Sequence, residues 1–136
     1  MFLGTYELKF SGQGRVILPK KLREVIIGTG LILSRGFEGC IWGFGIENFE
    51  KEAKKQLEIS ATEENARLLQ RFLFSGSEPV ELDAQGRFVI PSALLDFARV
   101  RGEVVIIGAG DHFEIWNKMN WEKHSKELGR RYGRLP

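Results

Sequence analysis

Cysteine is scarce in this chain of 136 residues, which holds only Cys40. A single thiol cannot close an intramolecular disulfide or supply the four ligands of a structural zinc site, so the fold has neither crosslink. Long apolar runs are also absent, since residues 104–107 fall far short of the roughly 18 residues that indicate a membrane span. We therefore expect no membrane partner. The single cysteine, and a beginning without a signal-peptide pattern, favour a cytoplasmic location.

Net charge is small as well, at +2, and is too low by itself to indicate a nucleic-acid-binding protein. With 43% hydrophobic and 28% charged residues, the composition is typical of an ordinary globular domain. The distribution of charge is more informative. Residues 9–35 carry six basic side chains and one acid, for +5, and residues 118–136 carry six basic and two acidic side chains, for +4. Such local excess is typical of surfaces that attract phosphate.

Residue patterns that indicate catalysis are few. Cys40 lies in a predicted strand, where a lone cysteine is usually a small buried hydrophobic side chain. His112 and His124 show no metal-ligand spacing and no evident carboxylate partner, and the sequence contains no phosphate-binding lysine motif and no dinucleotide-binding motif. We therefore expect a non-enzymatic protein without a cofactor, a metal or a small-molecule substrate.

The chain repeats itself when it is shifted along its own sequence so that Gln13 falls on Gln85. We call this displacement the repeat shift. Without a gap, it gives identical partners to seven residues: Phe2, Gly4, Gln13, Gly14, Arg15, Pro19 and Leu22. A weaker match, at a slightly larger displacement, relates residues 41–42 to residues 115–116. We interpret the chain as one repeat over residues 1–50, a helical insert over residues 51–72, a second repeat over residues 73–128, and a basic tail over residues 129–136.

Each repeat has the same predicted local structure, which is a hairpin, an apolar strand, a proline and a short helix. Residues 83–86 place Asp83 first and Gly86 fourth, as a type I turn prefers. Pro91 then suits the beginning of a helix. Strands are predicted over residues 5–10, 16–18, 31–33, 40–44, 79–82, 88–90, 104–107 and 113–116. Helices are predicted over residues 20–26, 48–57, 60–74, 92–98 and 119–128, the third from a capping box at Ser60 and Glu63.

Four segments have a pattern found in a known family: residues 1–4, Met-Phe-Leu-Gly; residues 14–19, Gly-Arg-Val-Ile-Leu-Pro; residues 83–91, Asp-Ala-Gln-Gly-Arg-Phe-Val-Ile-Pro; and residues 113–116, Phe-Glu-Ile-Trp. Together they resemble the MraZ family of the AbrB-like superfamily. The resemblance implies an α+β, mainly β fold, in which tandem AbrB-like repeats form a pseudo-two-fold swapped-hairpin β-barrel with peripheral helices.

The resemblance also implies a function. Members of the family are DNA-binding transcriptional regulators of the bacterial division and cell-wall gene cluster, and they bind short repeated boxes upstream of their own operon. By this resemblance we expect double-stranded DNA as the partner, a homo-oligomer that closes into a ring, and association with the nucleoid.

The family motif Asp-x-x-x-Arg places its DNA-contacting arginine at Arg15 and Arg87 of this sequence. An arginine just beyond a tight turn lies at the exposed rim of a hairpin, where its planar guanidinium can reach guanine O6 and N7 or a phosphate. Lys9, Gln13 and Gln85 are neighbours of these arginines and complete the predicted DNA-binding set.

The two motifs differ in charge. The first begins with Ser11 where the pattern has aspartate, and serine bonds a turn more weakly. Over residues 81–101 three acids offset three arginines, whereas residues 9–35 carry +5. We therefore expect the first hairpin to supply most of the phosphate attraction and Arg87 a more local contact. Three further basic residues are interpreted as the solvated face of a helix: Lys20, Lys21 and Arg23.

A second function stays open, namely a ring-forming protein-interaction scaffold or antitoxin-like module that keeps the fold without specific DNA binding. The altered motif at Ser11 supports this alternative. Aromatic residues also exceed what a small core readily covers, so some are expected at subunit interfaces. The candidates are Phe2, Trp42, Phe44, Phe49, Trp116 and Trp121.

Overall fold

The computed structural model describes residues 1–10 and 14–133. Within them, the strands are β1 Thr5–Lys9, β2 Arg15–Ile17, β3 Gly30–Arg35, β4 Ile41–Gly45, β5 Glu78–Glu81, β6 Arg87–Val89, β7 Glu103–Gly108 and β8 Phe113–Asn117. The helices are α1 Lys20–Arg23, α2 Ile46–Leu57, α3 Glu64–Ser75, α4 Ser92–Ala98 and α5 Lys118–Tyr132. The predicted class, α+β with mainly strands, is therefore confirmed.

Strand pairing crosses between the two repeats. Six strands form one antiparallel sheet in the order β1-β7-β8-β4-β3-β5, and β2 pairs with β6 in a separate two-stranded ribbon. The first strand of each repeat is hydrogen-bonded to a strand of the other repeat, because β1 pairs with β7 and β5 pairs with β3. The hairpin predicted within each repeat is therefore wrong over the described residues: β2 and β6 follow the predicted turns but pair with each other across the repeats. Over the described residues the six-stranded sheet is open, with β1 and β5 at its edges, and does not close into the barrel that the resemblance implies.

The repeat shift relates the two halves in space as well as in sequence. It converts β2 into β6 and β4 into β8. Val16 faces Phe88 in the ribbon, and Trp42 faces Glu114 where β4 meets β8; in both pairs the shift converts one residue into the other. A pseudo-two-fold axis therefore passes through both pairs. The strands β4 and β8 correspond at this shift, and not at the larger displacement that the Ile-Trp match indicated.

The helices show where the predicted organisation departs from the structure. Helix α2 begins at Ile46, directly after β4, just as α5 begins at Lys118 directly after β8. The predicted end of the first repeat at residue 50 thus falls inside α2, which is the counterpart of α5. Helix α5 continues to Tyr132, past its predicted end at Gly129. Ion pairs from Glu127 to Arg130 and Arg131 stabilise this last turn.

The predicted capping box at Ser60 is wrong. Helix α3 begins at Glu64, with Glu63 as its N-cap residue. The Ser60 hydroxyl instead accepts a hydrogen bond from the Thr62 amide at 3.3 Å. Serine favours this local bond to the backbone two residues ahead, and the bond competes with helix capping.

The core lies between the large sheet, the ribbon and the short helices α1 and α4. Its centre is built from equivalent positions of the two repeats: Leu18 with Ile90, and Leu22 with Leu94, all of them buried. Pro19 and Pro91 occupy the N-cap positions of α1 and α4 with φ of −52° and −56°, so each proline ends its strand and begins the helix. Both repeats therefore contribute to the same main core.

Of the aromatic residues predicted at interfaces, Phe2 belongs to this core, and Trp116 belongs to a second buried cluster against which Trp42 and Trp121 pack. Phe2, Phe44 and Trp116 are buried within the monomer, so that prediction is wrong for these three. Trp42, Phe49 and Trp121 are half-buried. Within the described ranges, no helix is long and apolar enough to cross a membrane.

Candidate nucleic-acid interface

The ribbon brings both predicted arginines to one surface. Along each strand the side chains alternate, and the central residues Val16 and Phe88 point inward with exposures of 1% and 2%. In the register of the ribbon, residue 15 lies opposite residue 89, and residue 17 lies opposite residue 87. The outward face therefore consists of four side chains: Arg15, Ile17, Arg87 and Val89. The two arginines occupy diagonal corners of this face.

Backbone hydrogen bonds hold the turn before each arginine against the other repeat. The Leu18 amide donates to the Gly86 carbonyl at 2.9 Å, and the equivalent Ile90 amide donates to the Gly14 carbonyl at 2.8 Å. Both glycines have φ of +80°, a conformation that L-residues rarely adopt. Each arginine thus follows a glycine whose carbonyl is hydrogen-bonded to the opposite repeat, and this bond fixes where the arginine begins its strand.

Asp83 organises the second turn. Its backbone carbonyl accepts from the Gly86 amide at 3.0 Å, which is the hydrogen bond expected of the predicted turn. Its Oδ1 accepts from the amides of Gln85 and Arg87, each at 2.9 Å, and its Oδ2 accepts from Arg87 Nε at 2.9 Å. The bond from the Arg87 amide, together with that from its side chain, lowers the pKa of the Asp83 carboxyl. Asp83 therefore orients Arg87 as an ion-pair partner.

In the sequence, residues 11–14 are the counterparts of the second turn. Of these, Ser11, Gly12 and the predicted site residue Gln13 lie outside the described residues. Arg15 is exposed at the beginning of β2, and Lys9 is exposed at the end of β1, opposite Glu103 of β7. The predicted residue Gln85 is exposed in the second turn.

Arg23 belongs to this surface, although the sequence pattern does not reveal it. Its Nη1 lies 3.5 Å from the carbonyl of Gln85, and a Cβ added to Gly86 would collide with that same Nη1. Its Nε is buried and finds no hydrogen-bond partner within the described part of the chain. The interpretation of Arg23 as a solvated helix residue is therefore wrong, because the guanidinium lies over the second turn.

The equivalent contact at the first turn is apolar. The repeat shift converts Arg23 into Leu95, and a Cβ added to Gly14 would lie 3.3 Å from Leu95 Cδ1. Each turn glycine thus packs against the short helix of the other repeat. The internal repeat shows from the sequence that Arg23 and Leu95 are equivalent positions. It does not show that each of them contacts the turn glycine of the other repeat.

Positive charge is concentrated on the first repeat. Helix α1 carries Lys20 and Lys21, both exposed, in addition to Arg23. The corresponding positions of α4 are Ser92 and Ala93, which carry no charge. The two short helices that flank the ribbon therefore differ in electrostatic potential although they share a backbone position.

A separate polar cluster lies where β4 meets β8. His112 Nδ1 is 2.8 Å from Asp111 Oδ1, and His112 Nε2 is 2.9 Å from Glu114 Oε2. The expectation that His112 has no carboxylate partner is therefore wrong. Burial lowers the pKa of His112, but the hydrogen bonds with Glu114 and Asp111 outweigh burial and raise it. Because both ring nitrogens face carboxylates, this arrangement favours the protonated imidazole, in which both nitrogens donate.

The surroundings of this cluster indicate a structural role. Trp116 Nε1 donates to Glu114 Oε1 at 2.9 Å, and the His112 ring packs 4.3 Å from the Trp42 ring between centroids. Cys40 is buried beside the cluster, as predicted, although it lies directly before β4 and not in the predicted strand; burial raises the pKa of its thiol. Among the described residues, no group of histidine, cysteine and carboxylate side chains could hold a metal ion.

Comparison with protein families matches both halves of the chain to one model, described as "MraZ protein, putative antitoxin-like". The matches cover residues 1–72 and 73–131. The chain belongs to the MraZ family. The resemblance inferred from the duplicated motif is thereby confirmed, and the two MraZ matches agree with the internal repeat that the sequence indicated.

Similar MraZ proteins span nearly the whole chain, and three of them carry the name transcriptional regulator MraZ. The protein of Lactiplantibacillus plantarum is 34% identical over 135 residues, which cover 99% of this chain and 95% of that protein. The protein of Lactobacillus delbrueckii subsp. bulgaricus is 38% identical, with 99% and 94% covered. The protein of Heliobacterium modesticaldum is 35% identical over 132 residues, with 97% and 92% covered.

Proposed function

We propose that this MraZ chain is a sequence-specific, DNA-binding transcriptional regulator. The observation that carries the proposal is the ribbon, which presents Arg15 and Arg87 together on one outward face. The names of the similar MraZ proteins support regulation of transcription. In this function the chain binds double-stranded DNA and catalyses no reaction.

The ribbon fits the geometry of direct readout. The major groove of B-DNA admits a two-stranded β-ribbon, and arginine is the side chain that most often contacts guanine there. Arg15 and Arg87 contact base edges or flanking phosphates from diagonal corners of the ribbon. Lys9, Gln13 and Gln85 extend the contact at the two turns. Arg23 adds positive charge beside the second turn, where its guanidinium lies over Gly86.

The charge distribution supports unequal roles for the two repeats. The basic residues of the first repeat supply most of the phosphate attraction. In the second repeat, Asp83 neutralises part of the charge of Arg87 and fixes its direction, so this arginine makes a more local contact.

The finer points of the proposal follow the family resemblance. The DNA target is a set of short repeated boxes upstream of the chain's own operon, within the bacterial division and cell-wall gene cluster, and the protein acts in the cytoplasm at the nucleoid. Several copies assemble into a ring, because one ribbon makes few contacts and tethered copies meet neighbouring boxes at high effective concentration. The pairing of β1 with β7 and of β5 with β3 supports a swapped-hairpin relationship between the repeats.

The test is binding to the DNA upstream of the chain's own coding sequence, compared with scrambled DNA of equal length across a salt titration. We expect specific, salt-sensitive binding that Arg15→Ala weakens at least tenfold, since a base or phosphate contact of about 1.4 kcal/mol is removed. Arg71→Ala, which removes an exposed arginine of α3 away from the ribbon, is the matched control.

The same experiment separates the alternative function. A ring-forming scaffold or antitoxin-like module would form oligomers and show no preference for the upstream DNA. Equal binding to scrambled DNA, or an Arg15→Ala protein that binds as well as the parent, would contradict the regulator proposal.

A further inference from the structure

Two large apolar side chains occupy the remaining corners of the proposed DNA-binding face. Ile17 is 46% exposed and Val89 is 48% exposed, whereas the inward residues of the same strands are buried. The repeat shift converts Ile17 into Val89, so the two are equivalent positions. Each repeat therefore exposes one apolar side chain at the same position of the ribbon.

The register places each of these side chains beside an arginine. Ile17 lies directly opposite Arg87, and Val89 lies directly opposite Arg15. Opposite residues of an antiparallel pair have Cβ atoms about 4.5–5.5 Å apart, a distance comparable to the rise of about 3.4 Å between base pairs. An arginine that reaches a base edge thus brings an apolar side chain to the same or the neighbouring base pair.

The chemistry of the major groove selects one target for such a side chain. In the major groove the base edges present hydrogen-bond donors and acceptors, and the apolar group among them is the C5-methyl of thymine. Isoleucine and valine are branched at Cβ and have little freedom at χ1, so the outward methyl groups hold a fixed position. We infer that Ile17 and Val89 are specificity-determining residues that contact the 5-methyl groups of thymines beside the base pairs read by Arg87 and Arg15.

A second copy of the chain is the less favourable occupant of this face. Both flanking corners carry arginine, so a like face would bring charges of the same sign together in a partly desolvated contact, which is unfavourable. Duplex DNA instead offers phosphates to the arginines and thymine methyl groups to the apolar corners. The inference rests on the proposed DNA binding and extends it to the identity of the bases that are read.

The test replaces thymine by uracil, which removes only the 5-methyl group and keeps base pairing. The upstream fragment is amplified with dUTP in place of dTTP, and its affinity for the full chain is compared with that of the thymine fragment. Burying one methyl-sized apolar group changes affinity about fourfold. We expect the parent protein to bind the uracil fragment at least fourfold more weakly, and Ile17→Ala and Val89→Ala each to lose part of this difference.

Uracil also alters the shape of the duplex, so a weaker affinity for the uracil fragment does not by itself show a contact with the methyl group. The decisive quantity is the non-additivity of the protein substitution and the thymine-to-uracil substitution. A double-mutant cycle isolates the contact itself. Ile27→Ala is the control, since Ile27 is 78% exposed and lies after α1 outside the ribbon. This variant is expected to keep the full difference between the two fragments.

The outcomes separate the inference from the function on which it rests. If the parent protein prefers its upstream DNA but binds the thymine and uracil fragments equally, the inference fails and the DNA-binding function stands. If Ile17→Ala and Val89→Ala keep the parent's full difference, the methyl group acts through DNA shape, or the side chains belong to an interface between copies; either result overturns the inference. If the parent shows no preference for its upstream DNA, both proposals fail.

Discussion

Val16 and Phe88 face each other across the ribbon, and the repeat relationship converts one into the other. Each is buried against residues of both repeats, which form one hydrophobic cluster. The pseudo-two-fold axis therefore passes through the core at the point directly beneath the proposed DNA-binding face. Neither repeat has a complete core of its own, so the stability of the binding surface depends on both.

Shortening a buried side chain at this axis should destabilise the whole protein. We expect Phe88→Ala to lower the free energy of unfolding by about 3–5 kcal/mol, because a buried aromatic ring is replaced by a cavity. Val89→Ala, one residue along the same strand on the exposed face, should change it by less than about 1 kcal/mol. Urea denaturation followed by circular dichroism measures both. Since the core is shared, a single transition is expected, and two separate transitions would contradict a shared core.

The two arginines should differ in their response to salt. The slope of log affinity against log salt decreases by about 0.9 for each phosphate that a variant no longer neutralises. We expect Arg15→Ala to lower the slope by about 1 and Arg87→Ala to lower it by less, because residues 9–35 carry +5 whereas three acids, Asp83 among them, offset three arginines over residues 81–101. Fluorescence anisotropy across a salt series with the upstream DNA measures the slopes. Equal decreases in the two variants would count against the division of roles between the repeats.

Asp83 should restrain DNA binding through its charge. Asp83→Asn keeps an oxygen that can accept from the Gln85 and Arg87 amides, but it removes a negative charge from the face that meets phosphate. We expect affinity for the upstream DNA to rise roughly two- to fivefold at low salt, with a smaller gain at high salt. Glu58→Gln removes an exposed acid after α2 and serves as the control. An affinity that falls in Asp83→Asn would show that orientation of Arg87 matters more than its net charge.

The close packing of Arg23 on Gly86 should be separable from the cost of backbone conformation. Gly86 and Gly102 both have positive φ, so alanine at either position should cost about 1–2 kcal/mol of stability. A Cβ at Gly86 would also meet the Arg23 guanidinium, whereas a Cβ at Gly102 would meet no described atom within 4 Å. We therefore expect Gly86→Ala to weaken DNA binding as well as stability, and Gly102→Ala to affect mainly stability. Equal DNA binding by the two variants would contradict a role for the Arg23 contact.

His112 should make stability depend on pH. Its folded-state pKa is raised by the hydrogen bonds with Glu114 and Asp111 despite burial, so the folded protein holds the proton more tightly than the unfolded chain does. That stabilisation is complete below the unfolded pKa of about 6.5 and is lost as pH rises through the higher folded pKa. We expect the urea midpoint to fall as pH rises from about 6.5, and His112→Gln to remove this part of the fall.

The control for the pH dependence of stability is chosen by considering which groups face His112. Asp111 and Glu114 contact its nitrogens, while Trp42 and Phe44 of β4 pack against its ring and Cys40 lies beside Glu114. His124→Gln removes the other histidine, whose ring packs against Trp116 and Trp121. An identical pH profile in His112→Gln and the parent protein would assign the alkaline loss to other groups.

The sequence was sufficient to predict the elements but not their partners. Proline after an apolar triplet marks the end of β2 and β6, and glycine at the fourth position marks the turn before β6, because these residues act locally through their own φ. Pairing of β1 with β7 joins segments from opposite ends of the chain, and local propensity contains no information about such a contact. The contact of Arg23 with Gly86 was missed for the same reason.

The partners of His112 could have been recognised from the sequence. His112 and Glu114 are two positions apart at the beginning of β8, so the alternation of a strand places them on one side, and Asp111 is the preceding residue. A search of the sequence for metal-ligand spacings or for catalytic residue pairs does not detect a histidine held between two neighbouring carboxylates. Alternation along the short strands, in contrast, is enough to predict that Arg15 and Arg87 each point away from the buried side of their strand, whereas their common face depends on the pairing of β2 with β6.

The two ends of the ribbon differ in their side chains. Asp83 organises the second turn and Arg23 lies over its Gly86, whereas the sequence has Ser11 in the position of Asp83 and Leu95 packs against Gly14. Two identical chains related by a true two-fold axis could not differ in this way, because every substitution would occur at both ends. Joining the two copies in a single chain frees each end to change alone. The proposed DNA-binding face consequently has a polarity, so we expect it to distinguish the two directions along a duplex and to favour neighbouring sites in head-to-tail order.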